Sequence, residues 1–338
     1  MRSRRSFALI TAALVATAVG AIGFGVADIA PLDVLAILGR SLFGLPVGGE
    51  IGAGPSAIVM EIRLPRILAA AAVGAALAVS GAAFQSLLRN PLADPYVLGT
   101  SSGAALGAAI AYLVPITGVA WELGGVQLAA FVGALASVAL VWRIAGIGSG
   151  EERIASVLLV GYAVASLLAA ALSLVMLASG ANLRAIFGFL LGGLDGATWP
   201  RLAAAAAPIA IATLLLARRG RGLAAFLLGD EAASHLGIDV RRERRAAVAL
   251  ATLSTASAVA LAGLVGFVGL VVPHLARLAV GSDPRAVLPL SAVGGALLLL
   301  LADTVARTIG VPVGVITALI GAPFLLWLLH RARTGYAL

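Results

Sequence analysis

The sequence predicts an all-α, polytopic membrane protein with ten transmembrane helices, and three observations carry that prediction. Hydrophobic residues make up 61% of the 338 and charged residues 11%, with a mean hydropathy of +1.09, far from the balance of a soluble domain. Apolar runs of about 20 residues recur along the chain, the length that crosses a bilayer. The charges sit at the ends of those runs. All 23 basic residues are arginine, and cysteine is absent. Without lysine there is no P-loop to hold ATP and no Schiff-base chemistry; without cysteine there is no disulfide or thiolate metal site. The pI of about 11.2 does not point to nucleic acid, because no soluble basic domain holds the arginines.

Arg2, Arg4 and Arg5 precede an apolar run over 7–27. Its length, and the lack of a clean small-x-small cleavage pattern, favour a first span over a cleaved signal peptide. The positive-inside rule then places the N-terminus in the cytoplasm. Residues 28–62 form an external loop with an amphipathic piece at 32–42 and a Gly- and Pro-rich linker. Span 2 ends at Leu88, since no residue between Arg66 and Arg89 is charged. Pro91 and Pro95 stop it, each lacking a donor, and Asn90 and Asp94 supply acceptors for the freed backbone groups. Span 3, 97–114, starts at once with a small-residue face at Gly99, Gly103 and Gly107.

An external turn holding Pro115, Trp121 and Glu122 leads to span 4, which runs to Trp142. A cytoplasmic loop at 146–153 precedes span 5, 154–177. Residues 182–191, closed by Gly192-Gly193, are too short to span and predict a re-entrant or interfacial helix. Span 6 is 202–217. Residues 218–245 form the one long charged loop, with seven arginines. The charge-free interval that follows is too long for one span. Two spans, 246–263 and a short one at 265–280 broken by Gly266, Gly269 and Pro273, keep Arg331 and Arg333 inside. Spans 9 and 10 are 286–301 and 313–329. This assignment leaves 17 arginines inside and 6 outside, both termini cytoplasmic, and one transmembrane domain over 1–338. Residues 78–107 and 261–295 echo each other and predict an inverted repeat.

His235, His274 and His330 are dispersed, no acidic cluster has metal spacing, and no nucleophile–base pattern stands out. Translocation, not catalysis, is the expected work. Ion-coupled carriers hold ionisable groups within the membrane; here the spans are almost bare, and Asp303 lies near a span end close to Arg307. The driving force must then come from another polypeptide. Residues 228–237 read as a short helix: Asp230 can cap it, Glu231 suits its positive end, and Gly237 can close it in a left-handed conformation. Asp239 can start a second short helix carrying Arg241–Arg245. The pair is either a lever for a partner or a solvated basic loop that fixes topology; the residues alone leave both open.

Several motifs, in order, carry a resemblance: Arg63-Leu-Pro-Arg66, Arg89-Asn-Pro-Leu-Ala-Asp-Pro95, Gly229-Asp-Glu-Ala-Ala through Leu236-Gly237, Gly266-Phe-Val-Gly-Leu-Val-Val-Pro-His274, Ala302-Asp-Thr-Val-Ala-Arg307 and Gly321-Ala-Pro-Phe324. The chain resembles the FecCD/BtuC-type permease subunits of type II ABC importers, which take up iron-siderophores, haem or vitamin B12. The resemblance implies a homodimer with one central path. It implies two separate ATPase subunits that bind ATP and Mg, and a soluble or lipid-anchored binding protein that delivers a metal chelate. On this resemblance the permease itself is expected to bind no cofactor or metal, and no nucleic acid is expected as a partner. The resemblance further bears on single residues. It assigns Gly229, Asp230, Glu231, Ala232, Leu236 and Gly237 to ATPase coupling, and Asn90 and Leu92 to a cytoplasmic gate. It assigns Arg63, Arg66 and Arg307 to docking of the binding protein, for which the planar guanidinium suits carboxylates. The competing readings are a tight turn at Asn90–Leu92 and ordinary interfacial anchors at the arginines. Arg184 and Phe187 match the family's outer vestibule. The cargo is expected to be an iron complex or cobalamin. The alternative function is a stand-alone secondary transporter or exporter for a bulky solute.

Overall fold

The computed structural model describes residues 2–24, 27, 29–44, 52–114, 124–145 and 151–333. The expected external turn at Pro115, Trp121 and Glu122, most of the linker after 44 and part of the loop at 146–153 lie outside them. Every regular element among the described residues is helical. Eight helices are long and apolar enough to cross a membrane: α1 (Arg2–Gly23), α3 (Ala53–Leu87), α5 (Gly125–Ala145), α6 (Glu151–Ala178), α8 (Trp199–Arg218), α11 (Val240–Ala262), α13 (Pro284–Ile309) and α14 (Val313–Arg333). Two shorter ones, α4 (Thr100–Leu113) and α12 (Val268–Val280), complete the ten. The remaining four are α2 (Pro31–Phe43), α7 (Leu183–Leu191), α9 (Gly220–Phe226) and α10 (Asp230–His235).

The two stretches expected as loops are largely helical. Residues 28–62 hold α2 and the first turns of α3; residues 218–245 hold α9, α10 and the start of α11. The separate second helix expected after Asp239 does not exist, because α11 runs unbroken from Val240 into the membrane segment. Asp239 still caps it, its Oδ1 accepting from the Arg242 backbone N–H at 2.9 Å.

The centre is α3, packed on α13, α11 and α12, with α8 beside it. Small residues set these distances, since lipid supplies no hydrophobic drive between helices and close backbone approach must do the work. A Cβ on Gly74 would lie 2.1 Å from the Gly295 carbonyl oxygen, and one on Gly81 would lie 1.9 Å from that of Gly269. Gly103 and Gly133 join α4 to α5 in the same way. In its early turns α3 carries a π-helical stretch, Ile58–Arg63, just before Pro65. Proline lacks the N–H and crowds the carbonyl four residues back, so a wider turn ahead of it relieves both defects.

The two short spans share one cause. After Leu87 the chain turns through Arg89 (φ +48°) and continues non-helically to a 3₁₀ turn, Pro95–Leu98, before α4 begins. Pro95 packs against Gly269 near the start of α12, and the Tyr96 hydroxyl donates to the Val265 carbonyl at 2.9 Å. Both interruptions therefore meet inside the protein, where irregular backbone is tolerated at membrane depth. Span 3 is correspondingly a 3₁₀ turn plus helix rather than one run. Asn90 and Pro91 border the same cavity as Ser282 and Pro284, so the echoing stretches 78–107 and 261–295 run the same way. The inversion expected between them is absent.

Candidate functional site

The structure gathers the predicted residues at two opposite ends. At the first, which we call the Arg66 end, Arg63 and Arg66 flank Pro65 about three turns into α3, Arg63 closing the π-helical stretch. The Arg66 Nε and Nη2 grip Asp303 of α13 at 2.7–3.0 Å, and Nη1 reaches Asp195, in the α7–α8 connection, at 2.5 Å. The Asp303 side chain is fully enclosed, whereas that of Asp195 is 81% exposed. Arg63 is only 5% exposed. Its guanidinium donates to the carbonyls of Ile22 at 2.6 Å, Gly23 at 3.1 Å and Ala27. Arg307 Nη2 donates to the Ala21 carbonyl at 2.5 Å. Cations on the final carbonyls of a helix satisfy its orphan acceptors and suit its negative end, so Arg63 and Arg307 tie α1 to the core. The three arginines converge, then, but each is committed to groups of its own chain. Asp303 pairs with Arg66, not with the nearby Arg307 that sequence proximity suggested.

Beside them α7 is pinned as a short interfacial helix. The Leu264 N–H donates to Phe189 O at 3.2 Å, Gly193 N–H to Ala262 O at 2.8 Å, and Asn182 Nδ2 to Tyr112 O at 2.9 Å. Gly263 (φ +66°) is needed at this crossing: a Cβ there would meet Phe189 O at 2.4 Å. Arg184 and Phe187 both stand exposed on α7.

At the opposite, Asn90 end, the Asn90 Oδ1 accepts from the Leu92 N–H at 2.9 Å, an Asx turn that holds the chain after α3. The connection Arg218–Arg245 folds back over this turn, where Gly229 faces the Arg89 guanidinium. Within it, α10 starts at Asp230 behind Gly229 (φ +98°) and closes on Gly237 (φ +79°). The cap expected of Asp230 is not formed, because the cap position falls on Gly229 and Asp230 is the first helical residue. Its carboxylate instead accepts from Arg244 of α11 at 2.6 Å, and that guanidinium also lies 5.3 Å from the centre of the Phe226 ring. Arg219 pairs with Glu243 at 2.5 Å. The Asp230–Arg244 pair is largely shielded from water and fastens the stub α10 to the base of α11, while Arg219–Glu243 ties the end of α8 to the same base. Glu231 is exposed and Ala232 half-buried, while Leu228 and Leu236, 68% and 64% exposed, flank the stub as an apolar tip.

Sequence reasoning missed Asp195 and Arg244, both partners supplied from distant segments. It also missed the pairing of Gln85 with Arg277, whose guanidinium donates to Gln85 Oε1. A buried carboxylate in an otherwise apolar run was the available signal for Asp303; nothing local marked the others.

Apolar helices of spanning length around re-entrant breaks, with a fastened helical stub at one end, are the build of a membrane permease. The sequence model of the FecCD transport family matches residues 8–331. Over 290 residues the chain is 46% identical to the cobalamin import system permease protein BtuC of Halobacterium salinarum, covering 85% of this chain and 76% of that one. Over 282 residues it is 42% identical to the hemin transport system permease protein HmuU of Yersinia pestis, covering 82% and 84%. A solved structure described as the inward-facing conformation of a transporter assigned to the metal-chelate ABC type superposes with a TM-score of 0.83 at 29% identity, covering 97% of this chain and 99% of that one. The chain belongs to the FecCD transport family and is a permease subunit of an ATP-binding-cassette importer.

Proposed function

We propose that this permease moves a metal chelate inward across the cell membrane as one half of a homodimer with both termini in the cytoplasm. Two ATPase subunits, carrying ATP and Mg, supply the power, and a soluble or lipid-anchored binding protein supplies the cargo. The chelate is a metal tetrapyrrole, cobalamin or haem, within a wider class that includes ferric siderophores. The support for this cargo is the 46% and 42% identity to permeases named for cobalamin and hemin.

The observation that carries the mechanism is the stub α10. A helix of two turns held to α11 by Asp230–Arg244, with leucines bare on either side, transmits a push as a rigid body. A solvated loop would not be pinned in this way. The ATPase seats on Gly229, Asp230, Glu231, Ala232, Leu236 and Gly237, and movement passes through Gly229 and Arg89 to the gate at Asn90 and Leu92. Docking of the binding protein falls at the Arg66 end. Arg66 contributes most directly, because its exposed partner Asp195 is a carboxylate that an incoming one can replace; Arg63 and Arg307 hold the rim. Arg184 and Phe187 face the outer vestibule.

Uptake of labelled cobalamin, hemin and a ferric siderophore into vesicles holding permease, ATPase and binding protein tests the reading. ATP-dependent accumulation of one tetrapyrrole is expected. Accumulation of a siderophore alone would overturn the cargo. Uptake driven by an ion gradient with the ATPase omitted would overturn the mechanism.

A further inference from the structure

A cavity of about 360 Å³ opens at the Asn90 end, between the end of α3, α12 and the start of α13. That volume falls in the range of about 300–1,000 Å³ typical of small-ligand sites. Its polar lining is one-sided. Arg89, Arg277 and His274 border it together with Gln85, Asn90 and Ser282, and among the described residues no carboxylate does. The nearest acidic neighbour in sequence, Asp283, is turned to Arg285, accepting from its backbone N–H and its guanidinium at 2.7–3.0 Å.

Arg277 is the centre of the site. It is half-buried and makes no ion pair among the described residues. Its side-chain partner is Gln85 Oε1. Gln85 is itself 3% exposed, and its Nε2 donates to the carbonyls of Ala93 and Gly269 at 3.2 Å each. The amide is thereby oriented with its oxygen towards the guanidinium and cannot neutralise it. A guanidinium has five donors and keeps its charge at any physiological pH. Among the described residues, one amide oxygen leaves most of those donors, and the whole charge, unanswered in a half-enclosed place, where an uncompensated charge is costly. Leu275 and Leu278, 47% and 68% exposed, continue α12 beside the cavity as an apolar surface. A cationic pocket next to such a surface at the end of a span is placed where headgroups lie.

We propose that this cavity binds a phosphate-bearing anion, either the headgroup of an anionic phospholipid or free phosphate, with Arg277 as its principal ligand. The cavity shares Arg89 and Asn90 with the coupling path and gate proposed above, but the proposal concerns binding alone and its test reads binding, not uptake.

The test uses the purified full-length permease in detergent and native mass spectrometry. Phosphatidylglycerol, phosphatidylcholine and inorganic phosphate are titrated separately, and phosphate is also titrated against the phosphatidylglycerol adduct. Wild type is expected to bind phosphatidylglycerol in preference to phosphatidylcholine, or to bind phosphate itself. Arg277→Gln should weaken that binding about tenfold, the loss of one charge-assisted hydrogen-bonding partner, and Arg277→Lys should restore part of it. Displacement of the lipid by phosphate identifies the free ion as sufficient; failure of displacement identifies the lipid headgroup. Should Arg277→Gln fail to fold by its melting profile, Arg89→Gln, on an exposed residue, must show a smaller loss in the same direction. Equal binding of the two lipids with no binding of phosphate, or unchanged affinity in the folded variants, overturns the proposal.

Discussion

Two spanning helices whose most apolar 18-residue stretches have nearly equal mean hydropathy, 2.1 in α3 and 2.3 in α6, meet opposite fates: 78% of that stretch is buried within the subunit in α3 and only 11% in α6. Hydropathy therefore decides that a segment enters the membrane and says nothing about what it packs against. The difference lies in which residues are small and where they fall. On α3, Gly74 and Gly81 admit the backbones of α13 and α12, whereas α6 presents Leu159, Tyr162, Leu167, Leu174 and Leu177 outward. Buried α3 also carries the charges that need partners, while α6 offers a bare apolar face to lipid or, on the homodimer reading, to a second subunit.

The strongest way to break this contrast is to enlarge a contact glycine. Gly81→Val puts a branched side chain where the Gly269 carbonyl oxygen stands, and backbone cannot move aside as a flexible side chain can. A loss of more than about 4 kcal/mol, seen as failure to purify a folded monodisperse permease, is expected. Asp303→Ala should come next. It leaves the Arg66 guanidinium, 14% exposed, without its enclosed partner, at a cost of about 3–5 kcal/mol read from thermal melting in detergent. Asp195→Asn sharpens that result, because it removes the other carboxylate from the same guanidinium. Its side chain is exposed and screened, so less than about 1 kcal/mol is expected. The smallest effect belongs to α6: Leu174→Ala should change the melting of the single subunit by no more than about 0.5 kcal/mol. A large loss there would show that α6 is covered by protein, and chemical crosslinking would then reveal whether a second copy covers it.

Much of the architecture could be read from residue order. The ten spans, the short helix at 183–191 and the division of 246–280 into two segments all follow from the length of apolar runs and the placing of arginines. Gly237 was legible because a helix this short needs a residue that takes positive φ without strain. What could not be read was rotation and long-range pairing. Arg63 and Arg66 look alike in a motif, yet the π-helical stretch before Pro65 and the carboxyl end of α1 give Arg63 an interior place. Asp303 has Arg307 one helical turn away, yet binds Arg66, 237 positions distant in the sequence. Asp230 has the chemistry of a cap, but the cap position falls on Gly229, and the carboxylate, one residue inside the helix, turns to Arg244 across the connection. In each case the deciding neighbour comes from another helix, and sequence periodicity carries no information about it.

The permease is expected to be a conduit that another polypeptide drives through α10. The direct measurement is uphill transport by proteoliposomes containing the intact complex, with Asp230 and Gly237 replaced together by Ala and Leu, alongside ATP hydrolysis in the same vesicles. Hydrolysis that continues while cargo accumulation falls at least about tenfold is the expected result. Undiminished accumulation in that variant, or accumulation by the permease alone under an ion gradient, would contradict it.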